Sequence, residues 1–539
     1  MKTILRLVAL LLLLALPTVA QAQMYTNSDG VWSYIFNADG ITLNITGYTG
    51  SSASVTIPTN IDGLTVTSIA DATFGNCASL TNVMIGADVT NMGVNVFYNC
   101  PNLDAITVDS NNPAYSSLAG VVFDKNQATL ITCPGGETGN YAVPNTVTSI
   151  GDDAFSYCGE LASVTMGGSV VSIGSLAFAN CASLTNIAIG SNVNSIINTA
   201  FASCTDLLAI TVNSNNPDYS SLAGVLFDKS QASLIQCPGG ETGSYTVPGS
   251  VNNIEDDAFM DCPNLASVTI GDSVTNIGSS AFSLSTSLAD VTIGANVTSI
   301  GVNAFYACPS LGAITVNSNN PAYSSLAGVL FNQNQTMLIA YPEGKPGNYV
   351  IPNTVTNIGV NAFASCLNLD YVTIPDSVLT IGGGAFRYCL SLTSITIPGS
   401  VTNLGFIAFA NCFNLTAIYF QGNAPTPTND SSVFSDGSDG TVYYLPGATG
   451  WGPTFDNRPA VLWNPLPQTS DADFGVRSNR FGFNITGGSN LVIVVEACTN
   501  LANPAWTPIS TNTLVNGASY FSDPAWMNYP GRFYQLTMP

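Results

Sequence analysis

A phenylalanine followed three residues later by a cysteine recurs along most of this chain at fixed spacings. Phe155 precedes Cys158, and Phe178 precedes Cys181 one step of 23 residues later. Serine replaces the cysteine once, at Ser285. The chain has 539 residues, which is too long for one ordinary core, so this self-similarity predicts a repeat architecture. In steps of 23 or 58 residues, the aromatic position is filled by Phe74, Phe97, Phe155, Phe178, Phe201, Phe259, Phe282, Phe305, Phe363, Phe386 and Phe409.

Each unit carries a second pattern after the cysteine. In one unit the apolar residues Leu161, Val164 and Met166 alternate with polar ones, and Val170 and Ile173 follow. Alternation of this kind predicts a short strand with Val164 and Met166 pointing inward. The stretch 152–157 is too short for an independent helix, so we interpret it as one helical or 3₁₀ turn behind the strand.

The units resemble the bacterial BspA-type leucine-rich repeat. The segment VTIPDSVLTIGGGAFRYCLSL, residues 372–392, matches the pattern of that family almost throughout, and the resemblance covers about residues 50–420. It implies a curved repeat solenoid, β-rich with short helical or 3₁₀ turns, on an exported or cell-surface protein. It implies neither a ligand nor an activity.

The 58-residue steps contain an inserted segment, and the pattern of steps repeats as a block of 104 residues. In the first copy, the apolar run 120–124 is followed by a turn at 125–127 and by a second run at 129–132. We interpret this as a β-hairpin that replaces the helical turn, followed by a loop at 134–139. In total the pattern predicts fifteen strands of the repeat type.

The ends differ from the repeats. Residues 1–22 contain Lys2, Arg6, an apolar run and Ala20-Gln21-Ala22, which is typical of a secretory signal peptide. We therefore expect a secreted or cell-surface protein. No other apolar stretch is long enough to span a bilayer. The predicted domains are an N-terminal β cap at 23–50, the solenoid at 51–420, a C-terminal cap at 421–463, a linker at 464–473 and a small β-rich C-terminal module at 474–539.

Composition excludes several functions. The chain has no histidine, which removes Ser-His-Asp and Cys-His catalysis and histidine-based zinc sites. Its net charge is −23, and it becomes −25 when the signal peptide with its two cations is removed. Such a surface repels nucleic acid and anionic membranes. No cofactor is indicated, and zinc is disfavoured because Cys-x₂-Cys pairs are absent.

Three local features have alternative interpretations. Asp152 and Asp153 are adjacent and would cap backbone N–H groups at the turn, against acid/base chemistry as the alternative. The recurring cysteines would pack in the core as reduced thiols, although neighbouring coils would bring them within disulfide range. The segment DSNNPAYSS, residues 109–117, would be a turn that supports the hairpin, with a calcium site as the alternative.

These observations favour a non-enzymatic exported protein that presents a rigid surface for protein or glycan contact, as in adhesion. One alternative is a purely structural cell-surface or matrix component, and another is a carbohydrate-active solenoid enzyme. Candidate contact residues are Tyr371 and Tyr419, which we expect to be exposed aromatic side chains on the sheet. Lys125 and Lys229 are further candidates on the hairpins, with pairing to acidic neighbours as the alternative.

Overall fold

The computed structural model describes residues 24–427, 432–437, 439–489 and 491–539. The predicted signal peptide, residues 1–22, therefore lies outside the described residues. The chain divides into two compact units. Unit 1 comprises the chain up to Glu241 together with the separate segment Ile254–Pro263. Unit 2 comprises Thr242–Asn253 and Asn264–Pro539. Within each unit, the chain winds in coils that place equivalent strands side by side.

The principal strand of each coil is short and pairs in parallel with its neighbours. In unit 1, Val164 lies opposite Ile187, which lies opposite Ile210. In unit 2, Ile395 lies opposite Ile418, and the same register continues to the strand beyond. The principal strands are Ser54–Thr56, Asn82–Ile85, Ala105–Val108, Gly139–Ala142, Leu161–Thr165, Asn186–Ile189, Ala209–Val212, Gly243–Thr246, Leu265–Thr269, Asp290–Ile293, Ala313–Val316, Gly347–Val350, Leu369–Thr373, Ser394–Ile397, Ala417–Phe420, Thr441–Tyr444 and Arg458–Leu462.

Alternation along these strands explains which side chains enter the core. Val164 and Met166 are buried, whereas Thr165 between them is exposed, as the period-2 pattern predicts. The register extends beyond residue 420, where the fifteen predicted strands end, through two further strands. Phe434 continues the aromatic column there by stacking on Phe409, at 5.6 Å between ring centroids. The two further strands, Thr441–Tyr444 and Arg458–Leu462, were not predicted because no Phe-x-x-Cys pair accompanies either of them.

A second set of strands, mostly two residues long, lies farther along each coil. Ser149 lies opposite Ser172, which lies opposite Ser195, so this set also pairs in parallel. Its members are Leu64–Ile69, Asn91–Met92, Ser149–Ile150, Ser172–Ile173, Ser195–Ile196, Asn253–Ile254, Asn276–Ile277, Ser299–Ile300, Asn357–Ile358, Thr380–Ile381, Asn403–Leu404 and Thr426–Pro427.

The turn that carries the phenylalanine is not helical in most coils, which corrects the predicted helical or 3₁₀ turn. Asp153 and Tyr157, two residues before and after Phe155, adopt positive φ angles of 56° and 62°. This geometry directs alternate N–H groups toward the next coil: the Phe155 N–H donates to the Ala177 carbonyl at 2.7 Å. Bonds between coils therefore alternate with local bonds, such as that from the Ser156 N–H to the Asp153 carbonyl at 3.0 Å, and no continuous helix forms. Among described residues, 3₁₀ geometry occurs at Asn198–Phe201 and Trp526–Asn528.

Phenylalanine rings form stacked columns in the core of each unit. In unit 1, Phe155 and Phe178 stack with centroids 4.9 Å apart and planes 9° apart. In unit 2, Phe363 and Phe386 stack at 4.8 Å and 8°. Because every coil places the same ring at the same point, the columns bury large apolar areas with favourable offset stacking.

The cysteines have a hydrogen-bonding role as well as a packing role. The Cys181 thiol donates to the Phe155 carbonyl oxygen at 3.0 Å, and the Cys389 thiol donates to the Phe363 carbonyl oxygen at 3.1 Å. Each thiol thus adds a second donor to a buried carbonyl of the preceding turn, which also accepts the N–H of the cysteine in its own turn. All thirteen cysteines lie among the described residues, and all are free thiols in the structure.

This environment predicts very selective thiol reactivity. Burial raises the pKa of the Cys100 and Cys412 thiols to about 11, so the reactive thiolate is scarce at pH 8. Only Cys77 is partly exposed, whereas the other twelve cysteines are buried. We expect iodoacetamide to label Cys77 first in the native protein and all thirteen cysteines after denaturation without reductant, as read by peptide mass spectrometry. Failure to label most of them after denaturation would indicate disulfides and contradict the packing role.

Each 58-residue step contains a three-stranded antiparallel meander. The hairpin at 121–132 has the predicted strands, with Val122 opposite Thr132. A strand that the sequence does not predict, Tyr115–Leu118, pairs antiparallel with its first strand. The three meanders comprise Tyr115–Leu118, Val121–Asp124 and Thr129–Thr132; Tyr219–Leu222, Val225–Asp228 and Ser233–Gln236; and Tyr323–Leu326, Val329–Asn332 and Met337–Ala340.

The loop before the first meander is a turn built on a saturated asparagine. Asn112 is fully buried, and its amide donates to the Gly86 and Val89 carbonyls while its Oδ1 accepts from the Ala114 and Tyr115 N–H groups. These contacts support the turn interpretation of DSNNPAYSS. In the described part of the chain, no group of three or more Cys, Asp or Glu residues could hold a metal ion.

Both ends of the chain are β-rich. The N-terminal strands are Tyr25–Thr26, Trp32–Phe36 and Leu43–Tyr48, with Asn60–Ile61 nearby. After Thr454–Phe455, the C-terminal module has two sheets, and its first strand begins inside the predicted linker. Among the described residues, no helix combines the length and apolar character needed to cross a membrane. The module strands are Leu466–Gln468, Gly475–Arg477, Arg480–Thr486, Val492–Cys498, Thr507–Thr513, Ala518–Asp523 and Phe533–Thr537.

Candidate functional site

The meanders interrupt the hydrogen-bonded stack of turns, and pockets lie at two of the interruptions. In the first, Cys133 at the end of the hairpin donates its N–H to the Ala154 carbonyl at 2.7 Å, in the manner of a regular turn. In the third, Tyr341 donates to Ala362 at the same distance. We name the pocket lined by residues from the segments 92–98, 131–133 and 151–156 the first notch. Residues from the segments 300–306, 337–343 and 359–364 line the third notch.

The third notch has a volume of about 230 Å³ and mainly apolar walls. Val302, Met337 and Val360 have exposed side chains at its rim, while Tyr341 is buried below them. Asn303 and Asn361 also line it and bridge it, since the Asn361 amide donates to Asn303 Oδ1 at 2.7 Å. The notch therefore combines apolar walls with a few fixed polar groups, which is the usual composition of a binding pocket.

Glu343 is the charged residue of the third notch. It is only 5% exposed, and its Oε1 accepts the Ala307 N–H at 2.6 Å. In regular coils a carbonyl of the next turn accepts the equivalent N–H, as Ala179 does from Tyr157. Glu343 thus replaces an acceptor that the meander removes. Glycine stands at the equivalent position of the other long coils, and a Cβ at Gly135 would lie 2.6 Å from the Cys100 carbonyl oxygen.

Burial raises the pKa of Glu343 to about 8, although hydrogen bonds from the Ala307 and Cys308 N–H groups oppose this shift. An acid whose pKa is raised by folding stabilises the folded state at low pH, and that contribution is lost as pH rises from about 4.5 to about 8. In the wild-type protein we expect the free energy of unfolding to decrease by about 4 kcal/mol over this range, and in Glu343→Gln we expect this decrease to be absent. Urea unfolding of both proteins at pH 5 and pH 8.5 measures it. Identical pH profiles would contradict the assignment.

The first notch has a volume of about 190 Å³ and carries a carboxylate from a different position. Asp153 is half-buried, and its Oδ1 is buried without a hydrogen-bond partner. Burial raises the pKa of Asp153, a side-chain hydrogen bond with Asn95 lowers it, and the neighbouring Asp152 raises it further. The structurally equivalent residue of the third notch is Asn361, so each of the two notches has its own source of acid.

Asp152, by contrast, is a cap. Its Oδ1 accepts the Ser175 N–H of the next coil at 2.7 Å, and Asp71 holds Val94 in the same way at 2.8 Å. The capping interpretation is therefore confirmed for Asp152 and wrong for Asp153, although both residues line the first notch. The two adjacent carboxylates have different partners, since Asp152 bonds to the next coil and Asp153 to Asn95.

The structure does not bring the four predicted contact residues together. Tyr371 is half-buried on the strand Leu369–Thr373, where it lies opposite Asn348. Lys125 donates to the carbonyls of Ser110 and Asn112, and Lys229 donates to those of Ser214 and Asn216. Both lysines thus connect the loop before their meander to its hairpin through carbonyl groups, and not through acidic neighbours as in the alternative interpretation.

Tyr419 is buried, which contradicts its expected exposure. Its side chain is 1% exposed because the C-terminal module covers this end of the sheet in unit 2. The module extends this cover to the previous strand, where Thr396 donates to the Pro539 carbonyl. The shared apolar cluster comprises Tyr419, Tyr443, Trp463, Phe483, Ile485, Leu491, Ile493, Val495, Leu514, Phe521 and Met538.

Sequence reasoning missed Glu343 and the role of Asp153. The signal for Glu343 is visible when the long coils are aligned, because YPEGKPG at 341–347 replaces CPGGETG at 133–139. The sequence gives a weaker indication for Asp153, because an acidic residue at the start of a turn is equally expected to cap backbone N–H groups.

Comparison with solved structures finds similar chains among bacterial leucine-rich repeat proteins. A leucine rich cell surface protein from Faecalibacterium prausnitzii is 29% identical, with 74% of this chain and 95% of that chain covered and a TM-score of 0.38. A leucine-rich repeat protein from Eubacterium ventriosum is 21% identical, with 78% and 96% covered and a TM-score of 0.42. A search of curated proteins found no match.

The repeats themselves match a described family. The profile of the BspA type leucine rich repeat region matches residues 47–142, 134–242, 240–327 and 343–441, which is more than half of the chain. This match confirms the resemblance seen in the repeat pattern and the leucine-rich repeat solenoid as the fold class. The chain belongs to the BspA type leucine rich repeat family.

Proposed function

We propose that this protein is exported and acts without catalysis, by presenting a rigid surface for contact with proteins or glycans, as in adhesion. The observation that carries the proposal is the outward face of the principal strands. Within each sheet these positions carry mainly short, exposed threonines, and the parallel pairing of the strands holds neighbouring ones in fixed register, as it does for Thr292 and Thr315. The exposed threonines of this kind include Thr107, Thr165, Thr211, Thr269, Thr292, Thr315 and Thr373.

Part of this surface in unit 2 offers apolar area as well. Val350 lies opposite Thr373 and is 67% exposed, and Tyr371 is half-exposed on the neighbouring strand. Large aromatic side chains contribute most of the binding energy at interfaces, whereas threonine is rarely decisive there. This patch is therefore the expected centre of contact along the sheet, in place of the buried Tyr419.

A non-catalytic role is supported by the chemistry of the chain. The sequence lacks histidine, and the raised pKa values of Asp153 and Glu343 belong to carboxylates in separate notches. The Faecalibacterium protein is described as a cell surface protein, which supports a location outside the cytoplasm for this chain too.

Glycan and host-protein arrays probed with the full-length secreted chain test the proposal. We expect retention of at least one partner and a loss of affinity of about tenfold or more for Tyr371→Ala. Thr292→Ala, an exposed residue on a principal strand of the same unit, is the matched control and should change affinity little. If the arrays retain no partner, the result contradicts the proposed contact function. If Thr292→Ala alone abolishes binding, the patch is misplaced.

A further inference from the structure

We infer that the first and third notches are sockets for basic side chains of a protein partner, with Asp153 and Glu343 as the anionic ends. This inference rests on the proposed contact function and specifies the chemistry of the partner. Each notch has a carboxylate in its lining, with mainly apolar walls in the third notch and a mixture of apolar and polar side chains in the first. Lysine and arginine need this combination, because their long apolar stems pack on hydrocarbon while the charged end seeks an anion.

The walls of both notches suit such a stem. Val302, Val360 and Met337 line the third notch, and Met92 and Val94 line the first. All three side chains of the third notch are more than one-third exposed, which leaves apolar surface open to a partner. A stem that covers them would remove this area from water at a gain of roughly 25 cal/mol per Å².

Within the described residues, no basic side chain already neutralises either carboxylate. The ion pairs there are Arg458–Asp439, Arg477–Asp473 and Arg532–Asp523, all outside the notches. Lys345, two residues from Glu343, donates instead to the Ala327 carbonyl at 3.0 Å. A buried carboxylate without a counter-charge gains most from an incoming cation, and the net charge of −23 attracts basic partners from a distance.

The other titratable groups at the notches are neutral or acidic. Tyr306 and Tyr341 line the third notch, and the buried thiols of Cys308 and Cys366 are close enough to interact with Glu343. Tyr98, Cys133 and Asp152 line the first notch. At the third notch, where burial raises the pKa of Glu343 to about 8, a bound ammonium group would favour the ionised carboxylate and release a proton. Affinity at this notch should therefore increase as pH rises from 6 to 8.5.

The two notches reach the same chemistry by different residues. The first has Asp153 and Gly135, whereas the third has Asn361 and Glu343 at the equivalent positions. The Asp153 position carries an acid again in the second long coil, where Asp257 is also half-buried with a pKa raised by burial, whereas Glu343 stands where the other long coils have glycine. In the second long coil, the larger Gln236 is buried where the other two have Thr132 and Ala340, so we expect two sockets.

Each notch contains a methionine whose methyl group can report binding by NMR. Met92 lines the first and Met337 the third, so methyl-labelled methionine allows each to be followed by NMR in the full-length chain. The probes are the acetylated and amidated tripeptide Gly-Lys-Gly and its norleucine counterpart, which has the stem without the charge. We expect the lysine peptide to shift both methyl signals at pH 8.5, with an affinity about tenfold or more above that of the norleucine peptide.

Variants separate the sockets from each other and from folding. Glu343→Gln keeps an acceptor for the Ala307 N–H, and Asp153→Asn places the residue that the third notch naturally has. The first should remove only the Met337 response, and the second only the Met92 response. Equal affinities for the two peptides, or responses unchanged by the variants, would overturn the inference. The same shifts on adding calcium chloride, with no lysine preference, would indicate a metal site instead. An array partner retained without any methyl response would leave the contact function standing and remove the sockets.

Discussion

Replacing Phe363 with alanine is expected to lower the free energy of unfolding by about 3–5 kcal/mol. The ring is fully buried in unit 2, where it stacks on Phe386 at 4.8 Å and on Tyr341 at 5.0 Å. Since each coil is stabilised mainly by its neighbours, losing this ring weakens the contacts on both sides. Urea denaturation followed by circular dichroism measures the change.

Val360→Ala is the matched control, three residues away on the same turn. Its side chain is 57% exposed, so we expect a change within about 0.5 kcal/mol. Similar effects from the two substitutions would show that the phenylalanine column does not hold the coils together.

Tyr419→Ala is expected to cost a similar amount, about 3–5 kcal/mol, and to act on the attachment of the C-terminal module. The ring stacks on Tyr443 at 5.1 Å and belongs to the apolar cluster shared with the module. Trp463, in the same cluster, donates its indole N–H to the Val492 carbonyl at 3.2 Å. Removing Tyr419 leaves a cavity between these elements, so limited proteolysis should release the module at 464–473 at lower urea concentration.

Tyr371→Ala provides the comparison for this second substitution. Tyr371 is half-exposed on a principal strand of the same unit, and its loss should leave the proteolysis of the module unchanged. If Tyr419→Ala leaves both stability and proteolysis unaltered, then the module does not depend on the cluster that covers this tyrosine.

The repeat core was predictable from the sequence because each coil carries the same residue types at the same spacing. Phe155, Cys158 and Val164 each have counterparts 23 residues later, and the structure stacks them in register. The turn geometry was less accessible. The residues with positive φ include Leu176, Ile407 and Tyr388. A left-handed backbone conformation is usually predicted from glycine or asparagine, and these residues are neither. Bonds to the next coil select this conformation, and a local pattern does not show them.

The candidate site was only partly predictable from the sequence, because contacts that form on folding decide which of its residues are exposed and what they bind. Tyr419 follows the repeat pattern of an exposed position, yet a module with no relation to the repeat covers it. Lys125 stands out as a rare cation, although carbonyl groups that become neighbours only on folding account for its position. Glu343 becomes conspicuous only once the regular acceptor of the Ala307 N–H is known to be missing.

The most direct test of contact without catalysis is to incubate the full-length chain with the glycans and proteins of a binding array and analyse them afterwards by mass spectrometry. We expect at least one partner to be retained and recovered with unchanged mass. Its affinity should fall about tenfold or more for Tyr371→Ala. Retention of nothing, or recovery of cleaved or modified partners, would contradict the proposed function.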